Sequence, residues 1–175
     1  MRRVKGLAIT LIGLIWVLQS CTYKLSLNGA SIPPTMKTIR VDFFENTAQL
    51  VVNNLSQQFT EALKDRIRNT TRLSIVTGET ADAVLSGTIT DYSIAPVSIQ
   101  ATNNTTQPLA DQTRLTITVN VKYVYDKDKK LSFEQPFSKY KDFKGSISAV
   151  EQSLIADINK QLTEDIFNRA FANWD

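Results

Sequence analysis

The chain of 175 residues contains no histidine, a single cysteine and only six glycines. Without histidine, the Ser–His–Asp and Cys–His nucleophilic arrangements cannot be built, and the commonest zinc ligand is missing. The glycines are scattered and form neither a G-x-G-x-x-G nor a Walker A pattern, so a glycine-rich phosphate-binding loop is excluded as well. These absences remove most of the common catalytic, metal and nucleotide sites.

Paired carboxylates are the remaining catalytic option, since they can serve a glycosidase. Glu164 and Asp165 are neighbours on a predicted helix, however, and therefore point in different directions. Glu45, Asp91 and Glu134 have no sequence context that indicates a cleft, and solvated surface carboxylates account for all five. The sequence thus predicts a protein that is not an enzyme and that has neither a cofactor nor a metal site.

The N-terminus has the pattern of an export signal. Arg2, Arg3 and Lys5 form a basic head, and an uninterrupted apolar run of 13 residues follows over residues 6–18. A bilayer-spanning helix needs roughly 20 apolar residues, whereas this run has the length of a signal-peptide core. A buried core helix is the alternative, but it does not explain the basic head.

The apolar run ends in Leu18-Gln19-Ser20-Cys21, which resembles a bacterial lipobox with leucine at −3 and a small residue at −1. Gln19 departs from the small or aliphatic residue that is usual at −2. Cys21 could instead be a free structural thiol, but an unpaired thiol is a liability in an oxidising compartment. We predict that residues 1–20 are a lipoprotein signal peptide and that Cys21 is the site of lipid attachment, including palmitate.

The position of the lipid and the charge balance predict where the protein works. Several acyl chains on one cysteine would hold the protein on a membrane, whereas a single chain binds only marginally. No acidic residue directly follows Cys21, so the inner-membrane retention signal of some bacteria is absent and the outer membrane is expected. The predicted signal carries three bases and no acid, which leaves 17 residues of each sign. Nucleic acid is therefore not expected as a partner.

The rest of the chain predicts one domain behind a tether. Residues 21–37 are interpreted as a lipidated tether and an extended lead-in, because Pro33-Pro34 excludes a helix there. Residues 38–175 are interpreted as a single α+β domain. Apolar periods of two and of 3.6 predict strands over residues 39–43, 73–76, 83–99, 113–125 and 131–143, and helices over residues 55–67 and from residue 148 to the C-terminus.

Both helices begin with capping signals. Asn53 or Asn54 is the predicted N-cap of the first helix, and Ser148-x-x-Glu151 matches a capping box for the second. Two amphipathic helices and a sheet with one clean apolar face predict an α+β two-layer sandwich. In it, the two helices pack on one face of a mostly antiparallel sheet of about four strands.

Irregular positions in the strands refine this pattern. The apolar phase of the third strand shifts at Asp91 and again at Pro96, which predicts a β-bulge and an edge position. Pro136 predicts that the last strand is broken or lies at an edge. The strand over residues 113–125 would span about 40 Å, so its end is expected to project as a hairpin. Residues 100–112 are polar and rich in turn formers, and we predict a mobile loop there.

Basic residues are the remaining candidates for a binding site. Lys127, Lys129 and Lys130 crowd the turn after the longest strand, with two aspartates interleaved. Most such turns are simply solvated. The functional alternative is a projecting tip whose lysines meet phosphate or carboxylate groups of a glycolipid. Arg114, on the polar side of the same strand, is the fourth candidate contact.

A second basic cluster surrounds two aromatic residues on the last strand. Lys139, Lys141 and Lys144 flank Tyr140 and Phe143. Mixtures of aromatic and basic side chains can bind sugars or nucleic acid. Outward lysines on an edge strand also protect against aggregation, and that purpose alone accounts for them.

Several stretches follow the lipobox in a fixed order: SIPPTMKTIRVDFFEN (31–46), LSQQFTEALKDRI (55–67), ADAVLSGTITDYSIAPVSIQA (81–101), RLTITVNVKY (114–123), SFEQPFSKYKDF (132–143) and LIADINKQLTEDIFNRAFANW (154–174). Together they resemble the shorter branch of the LptE family, lipopolysaccharide-assembly lipoproteins of the Gram-negative outer membrane. The resemblance covers nearly all of the mature chain and rests on the order of the stretches.

This resemblance implies two helices on a four-stranded sheet and a role in lipopolysaccharide transport to the cell surface. The protein would act as plug and assembly subunit inside an LptD-type outer-membrane β-barrel and could contact lipopolysaccharide directly. It would be lipid-anchored, facing the periplasm or lying in the barrel lumen. The alternative is a freestanding periplasmic lipoprotein that binds another envelope polymer or glycolipid. The family's basic contact residues match no motif here, so the four basic candidates rest on the sequence pattern alone.

Overall fold

The computed structural model describes residues 32–50, 52, 54–97 and 112–172. The chain forms six strands and two helices there: β1 (Thr38–Val41), β2 (Glu45–Asn46), α1 (Leu55–Thr70), β3 (Ser74–Val76), β4 (Ala83–Pro96), β5 (Thr113–Tyr125), β6 (Phe133–Phe143) and α2 (Ile147–Phe171). A short 3-10 helix (Lys129–Leu131) connects β5 to β6. The predicted signal peptide, Cys21 and all but the last residue of the predicted loop 100–112 lie outside the described residues.

The sheet is open and mixed. Its strand order is β3-β1-β4-β5-β6, and β2 pairs with β4 on the same side as β1. The pairs β1–β3, β1–β4 and β2–β4 are parallel, whereas β4–β5 and β5–β6 are antiparallel. The prediction of about four mostly antiparallel strands was therefore wrong in the number of strands, and it missed the three parallel pairs. A strand that returns through a helix runs parallel to its predecessor, as β3 does after α1.

Both helices cover one face of the sheet, as the apolar pattern predicts. Alternate residues of β5 are buried on that face, from Leu115 to Tyr125. The helices bury their apolar stripes against it and against each other, through Leu55, Phe59, Leu63 and Ile67 of α1 and Ile155, Ile158, Leu162, Ile166, Phe167 and Phe171 of α2. The α+β two-layer arrangement is confirmed.

The irregular strand positions are largely as predicted. The β4–β5 register shifts between Ile89 and Asp91, which confirms the bulge. Beyond it the inward phase moves to Tyr92, which is buried. β6 is the last strand of the sheet and runs through Pro136 without a break, so the edge position is confirmed.

The helix starts agree only in part with the sequence signals. Asn54 is the N-cap of α1, with a φ of +66° and no side-chain capping bond. The capping-box prediction for α2 was wrong, because the helix begins at Ile147 behind Ser146. The carboxylate of Glu151 instead accepts a hydrogen bond of 2.7 Å from the phenol of Tyr92. The bulge in β4 turns that tyrosine inward and offers Glu151 a partner that local sequence does not reveal.

An unusually close contact joins β2, β4 and β5 to α1. A Cβ atom on Gly87 would lie 2.1 Å from the carbonyl oxygen of Asn120 and 2.6 Å from the ring of Phe44. The Phe44 ring meets Phe59 edge to face with centroids 5.1 Å apart. The backbone N–H of Phe44 donates to Oγ1 of Thr60 at 3.1 Å, inside the core. Only glycine therefore fits at position 87.

Candidate functional site

The turn after β5 was the predicted contact point, and its first lysine has an internal partner. Nζ of Lys127 lies 2.7 Å from Oδ1 of Asp82 and donates to the carbonyl oxygen of Thr35 at 3.2 Å. Asp82 precedes β4, and Thr35 precedes β1. Lys127 therefore ties the turn to two other segments at the same end of the sheet.

Asp82 collects hydrogen bonds at this end of the domain. Its Oδ2 accepts from the backbone N–H groups of Lys37 and Thr38, at 2.9 and 3.0 Å, and from the Thr38 hydroxyl at 3.0 Å. The bond from Lys127, followed by these three, holds the pKa of the Asp82 carboxyl well below its usual range. The same contact raises the pKa of Lys127. The charged forms of both groups are thus stabilised by their mutual contact.

The other two lysines of the tip are differently placed. Lys129 and Lys130 lie in the 3-10 helix, where Oδ1 of Asp128 accepts from the backbone N–H of Lys130 at 3.0 Å. Both side chains are exposed, and neither forms an ion pair with any residue that the structure describes. Their ammonium groups are therefore available to a ligand, whereas the ammonium of Lys127 is already paired with Asp82.

Arg114 lies at the opposite end of β5 from the lysine tip. Lys127 follows Arg114 by 13 positions, most of them in β5, which corresponds to roughly 40 Å at about 3.3 Å per residue. The guanidinium of Arg114 donates to both carboxylate oxygens of Asp142, at 2.7 and 3.0 Å, and its Cζ lies 3.7 Å from the ring centroid of Tyr140. The structure brings the three lysines together but not Arg114.

Two lysines of the second basic cluster, Lys139 and Lys141, point toward α2 and not away from the protein. Lys139 reaches Asp165 of α2 at 2.7 Å, and Lys141 reaches Asp157 at 3.7 Å. These side chains extend along the edge of the sheet and connect β6 to α2. These two lysines therefore protect the edge of the sheet and also attach α2 to it. Tyr140 lies between them in sequence and projects from the opposite face of the strand.

The face of the sheet opposite the helices is largely polar. Outward-facing positions of β4, β5 and β6 form a band of short hydroxyl and amide side chains: Ser86, Thr88, Ser93, Thr116, Thr118, Asn120 and Ser138. Charged residues on this face form ion pairs with each other, between Arg40 and Asp42 at 2.9 Å and between Lys122 and Glu134 at 3.6 Å. We call this surface the outer face.

The described ranges hold no group of three or more acidic or cysteine residues that could bind a metal ion. Within the same ranges, no helix is long and apolar enough to cross a membrane. A cleft of about 860 Å³ opens beside the start of β1, where Lys37 and Arg72 contribute cations and Met36 and Leu73 contribute apolar surface. Its described lining contains no carboxylate and so offers no acid–base pair.

The sequence model of the LptE family, described as lipopolysaccharide-assembly, matches residues 36–170. The chain belongs to the LptE family. This span includes both helices up to the last turn of α2, all six strands and the lysine tip. No curated protein matches the sequence significantly.

Solved structures share this LptE fold at low sequence identity. Lipoprotein B from Nitrosomonas europaea matches with a TM-score of 0.54 and 14% identity, over 85% of this chain and 86% of that one. The rare lipoprotein B from Shewanella oneidensis matches with a TM-score of 0.52 and 12% identity, over 75% and 92% of the two chains. At such identities the likeness shows the fold alone.

Sequence reasoning missed the partners that define these sites in the LptE-family domain. Asp82 lies 45 residues from Lys127, and only the sheet topology brings them together. The stacking of Arg114 on Tyr140 depends on the β5–β6 register, in which Arg114 is opposite Asp142 and Thr116 is opposite Tyr140. The one available signal was the alternation of threonines with apolar residues along β5, which indicates a polar outer face.

Proposed function

We propose that this protein is an outer-membrane lipoprotein that acts as plug and assembly subunit of an LptD-type barrel in lipopolysaccharide transport. The observation that carries the proposal is the match of the LptE family over residues 36–170. A plug needs a rigid body and a polar surface, and it needs no active site.

The two-layer architecture supports a rigid plug. One ion pair joins the two helices, between Arg66 and Glu164 at 3.3 Å, and another joins the helix layer to the sheet, between Lys139 and Asp165 at 2.7 Å. β5 has 13 residues and α2 has 25, so each is about 40 Å long. The outer face presents hydroxyl groups, which suit the polar interior of a barrel.

The lipid on Cys21 belongs to the proposal, since it would hold the domain at the periplasmic side of the outer membrane or in the barrel lumen. Residues 22–31 separate Cys21 from the first described residue, Ile32. Fully extended, these ten residues span at most about 36 Å. A tether of this length would let the domain enter a barrel while the lipid on Cys21 stays in the membrane.

The lysine tip is the proposed contact for anionic groups of lipopolysaccharide. Lys127, Lys129 and Lys130 present ammonium groups that can meet phosphates as point charges. Because Lys127 is already bound to Asp82, we expect Lys129 and Lys130 to contribute most of the contact. Arg114, the fourth candidate, has its guanidinium bound by Asp142 and stacked on Tyr140, so we expect it to act through that ring rather than by direct contact with phosphate.

The proposal is tested by purifying the tagged, lipidated protein from outer membranes solubilised in detergent, with mass spectrometry of the proteins that accompany it. A barrel of LptD type in stoichiometric amount is the expected result. If the protein emerges alone with its membrane association intact, the plug role is wrong. The freestanding lipoprotein that binds another envelope polymer would then take its place.

A further inference from the structure

The outer face carries an exposed aromatic ring that is already stacked on one side. Tyr140 of β6 has 52% of its surface exposed, although it stands in the middle of a regular strand pair. The guanidinium of Arg114 covers one side of the ring at 3.7 Å from its centroid. The stacked arginine contacts one side of the ring, and half of the residue's surface remains exposed.

The charged groups nearest this ring already have partners within the protein, since Asp91 accepts a hydrogen bond of 2.8 Å from the Ser93 hydroxyl and Arg114 is paired with Asp142. Arg114 donates two hydrogen bonds to Asp142, which lies opposite it in the β5–β6 register. The bond to Asp142 raises the pKa of Arg114, and the bond to Arg114 lowers the pKa of Asp142, so both remain charged and paired. Farther along the same face, Lys122 pairs with Glu134. An anionic ligand would find the cations of Arg114 and Lys122 already paired here.

Short hydroxyl side chains surround the ring. Thr116 is opposite Tyr140 on β5, and Ser93 is opposite Thr116 on β4. One step along the strands, Oγ1 of Thr118 donates to Oγ of Ser138 at 3.0 Å. The hydroxyl of Ser93 donates to Oδ2 of Asp91 at 2.8 Å, which leaves its oxygen as an acceptor for a ligand. These side chains are too short to cover the ring, and a hydroxyl whose proton is engaged can still accept a hydrogen bond.

We propose that Tyr140, Arg114 and the hydroxyls of Thr116 and Ser93 form a platform that binds a neutral saccharide. A sugar ring has an apolar C–H side, which can stack on the free side of Tyr140, and hydroxyls, which can pair with the threonine and serine side chains. Arg114 acts as a positioning residue, because it holds the aromatic ring rather than the ligand.

This inference rests on the proposed function for the identity of the sugar, which would be the core saccharide of lipopolysaccharide. Tyr140 lies seven residues along β6 from its start beside the lysine tip, or roughly 25 Å away. The two sites therefore recognise different parts of one glycolipid. The platform meets neutral sugars, and the tip meets phosphates.

The test is isothermal titration calorimetry of the mature, lipidated protein with a neutral hexose oligosaccharide of the lipopolysaccharide core, which carries no acyl chains, no phosphates and no sugar acids. The detergent must have no sugar headgroup, because a maltoside would compete. Tyr140→Ala is expected to weaken binding by about tenfold or more, and Tyr140→Phe by less than about threefold, since stacking needs the ring and not the phenol. Phe43→Ala is the matched control, because Phe43 is also an exposed aromatic (58%) but lies at the β1–β2 junction.

A second variant and a salt series keep the result unambiguous. Thr116→Val keeps the shape of the side chain but removes one hydroxyl, so it is expected to weaken binding severalfold. Circular dichroism verifies that every variant is folded. Binding of the neutral oligosaccharide is expected to be the same at about 50 and 300 mM salt, because no charge is involved. The inference is overturned if Tyr140→Ala binds like the wild type, or if only phosphorylated oligosaccharide binds.

The result is separable from the fate of the plug proposal. If a barrel co-purifies but the neutral oligosaccharide does not bind, the platform is wrong while the plug role stands. If Tyr140-dependent binding is measured but no barrel co-purifies, the platform stands and serves another envelope polymer.

Discussion

The ammonium of Lys127 lies 2.7 Å from Oδ1 of Asp82, 45 residues away in the chain. Three further hydrogen bonds from Lys37 and Thr38 converge on the other oxygen of the same carboxylate. One side chain thus joins the lead-in to β1, the start of β4 and the turn after β5. It fixes the position from which Lys129 and Lys130 project.

Asp82→Asn is expected to lower the midpoint of urea unfolding at pH 7. Because the folded-state pKa of Asp82 is depressed, its contribution is fully present above the unfolded pKa of about 3.9. The contribution is lost as the pH falls below that value toward the folded pKa. The difference between wild type and variant should therefore shrink progressively below about pH 4, as measured by urea titrations at a series of pH values.

Asp65→Asn is the matched control, since Asp65 pairs with Arg68 on the exposed side of α1. Exposed pairs of this kind contribute little to stability. If both variants unfold at the same urea concentration at pH 7, Asp82 does not organise this end of the domain.

Gly87→Ala is expected to destabilise the protein by about 3 kcal/mol or more. Overpacking a filled site typically costs about 1–3 kcal/mol, and the added Cβ would lie 2.1 Å from a backbone oxygen of Asn120, which cannot rotate away. Gly78→Ala is the control, because nothing lies within 4 Å of a Cβ there. It should change the unfolding free energy by less than about 0.5 kcal/mol. Equal urea midpoints for the two variants would contradict the packing of Phe44 over Gly87.

The long elements could be predicted from the sequence because each repeats one period without interruption. β5 alternates over 13 residues, and both helices carry apolar stripes. The bulge in β4 was predictable for the same reason, since an extra residue shifts the apolar phase at Asp91. Local pattern is sufficient where one face of an element is continuously buried.

The strands β1 and β3 were predicted, but the two-residue strand β2, the parallel pairing and the side-chain partners could not be predicted in this way. β1 and β2 have only four and two residues. Val41 and Glu45 are four positions apart, but their partners on β4, Leu85 and Thr88, are only three positions apart. The alternation of apolar and polar residues is therefore interrupted between β1 and β2. The contacts Lys127–Asp82 and Arg114–Tyr140 join different strands. Such contacts depend on sheet order and register, which a single sequence does not specify.

Cys21→Ser is expected to release the protein from the membrane and to abolish its labelling with palmitate. The free energy that holds an anchored protein comes from buried methylenes, at about 0.8 kcal/mol each. Without the acyl chains, little holds the domain on a bilayer. Membrane fractionation and metabolic labelling measure both effects, and Ser26→Ala in the tether is the control. Continued palmitate labelling of the Cys21→Ser variant would contradict the assignment of Cys21.

Reversal of charge at the lysine tip is expected to weaken binding to intact lipopolysaccharide. Each lysine near an anionic surface contributes about 1 kcal/mol, so the double change Lys129→Glu and Lys130→Glu should raise the Kd at least about tenfold at low salt. The difference should shrink as salt is raised, because the contact is between exposed charges. Folding should be unaffected, since among the described residues neither ammonium has an ion-pair partner. Surface plasmon resonance at two salt concentrations measures both the loss and its salt dependence.

Two variants separate direct contact at the tip from a general effect of net charge and from a loss of stability. Lys160→Glu removes an exposed charge from the middle of α2 and should leave the Kd within about twofold, since it lies away from the tip. Lys127→Gln should instead lower the unfolding midpoint, because it removes the partner of Asp82. If the double variant binds like the wild type, the tip is a solvated turn. Contact with lipopolysaccharide would then have to come from another surface, of which the platform around Tyr140 is the one the structure offers.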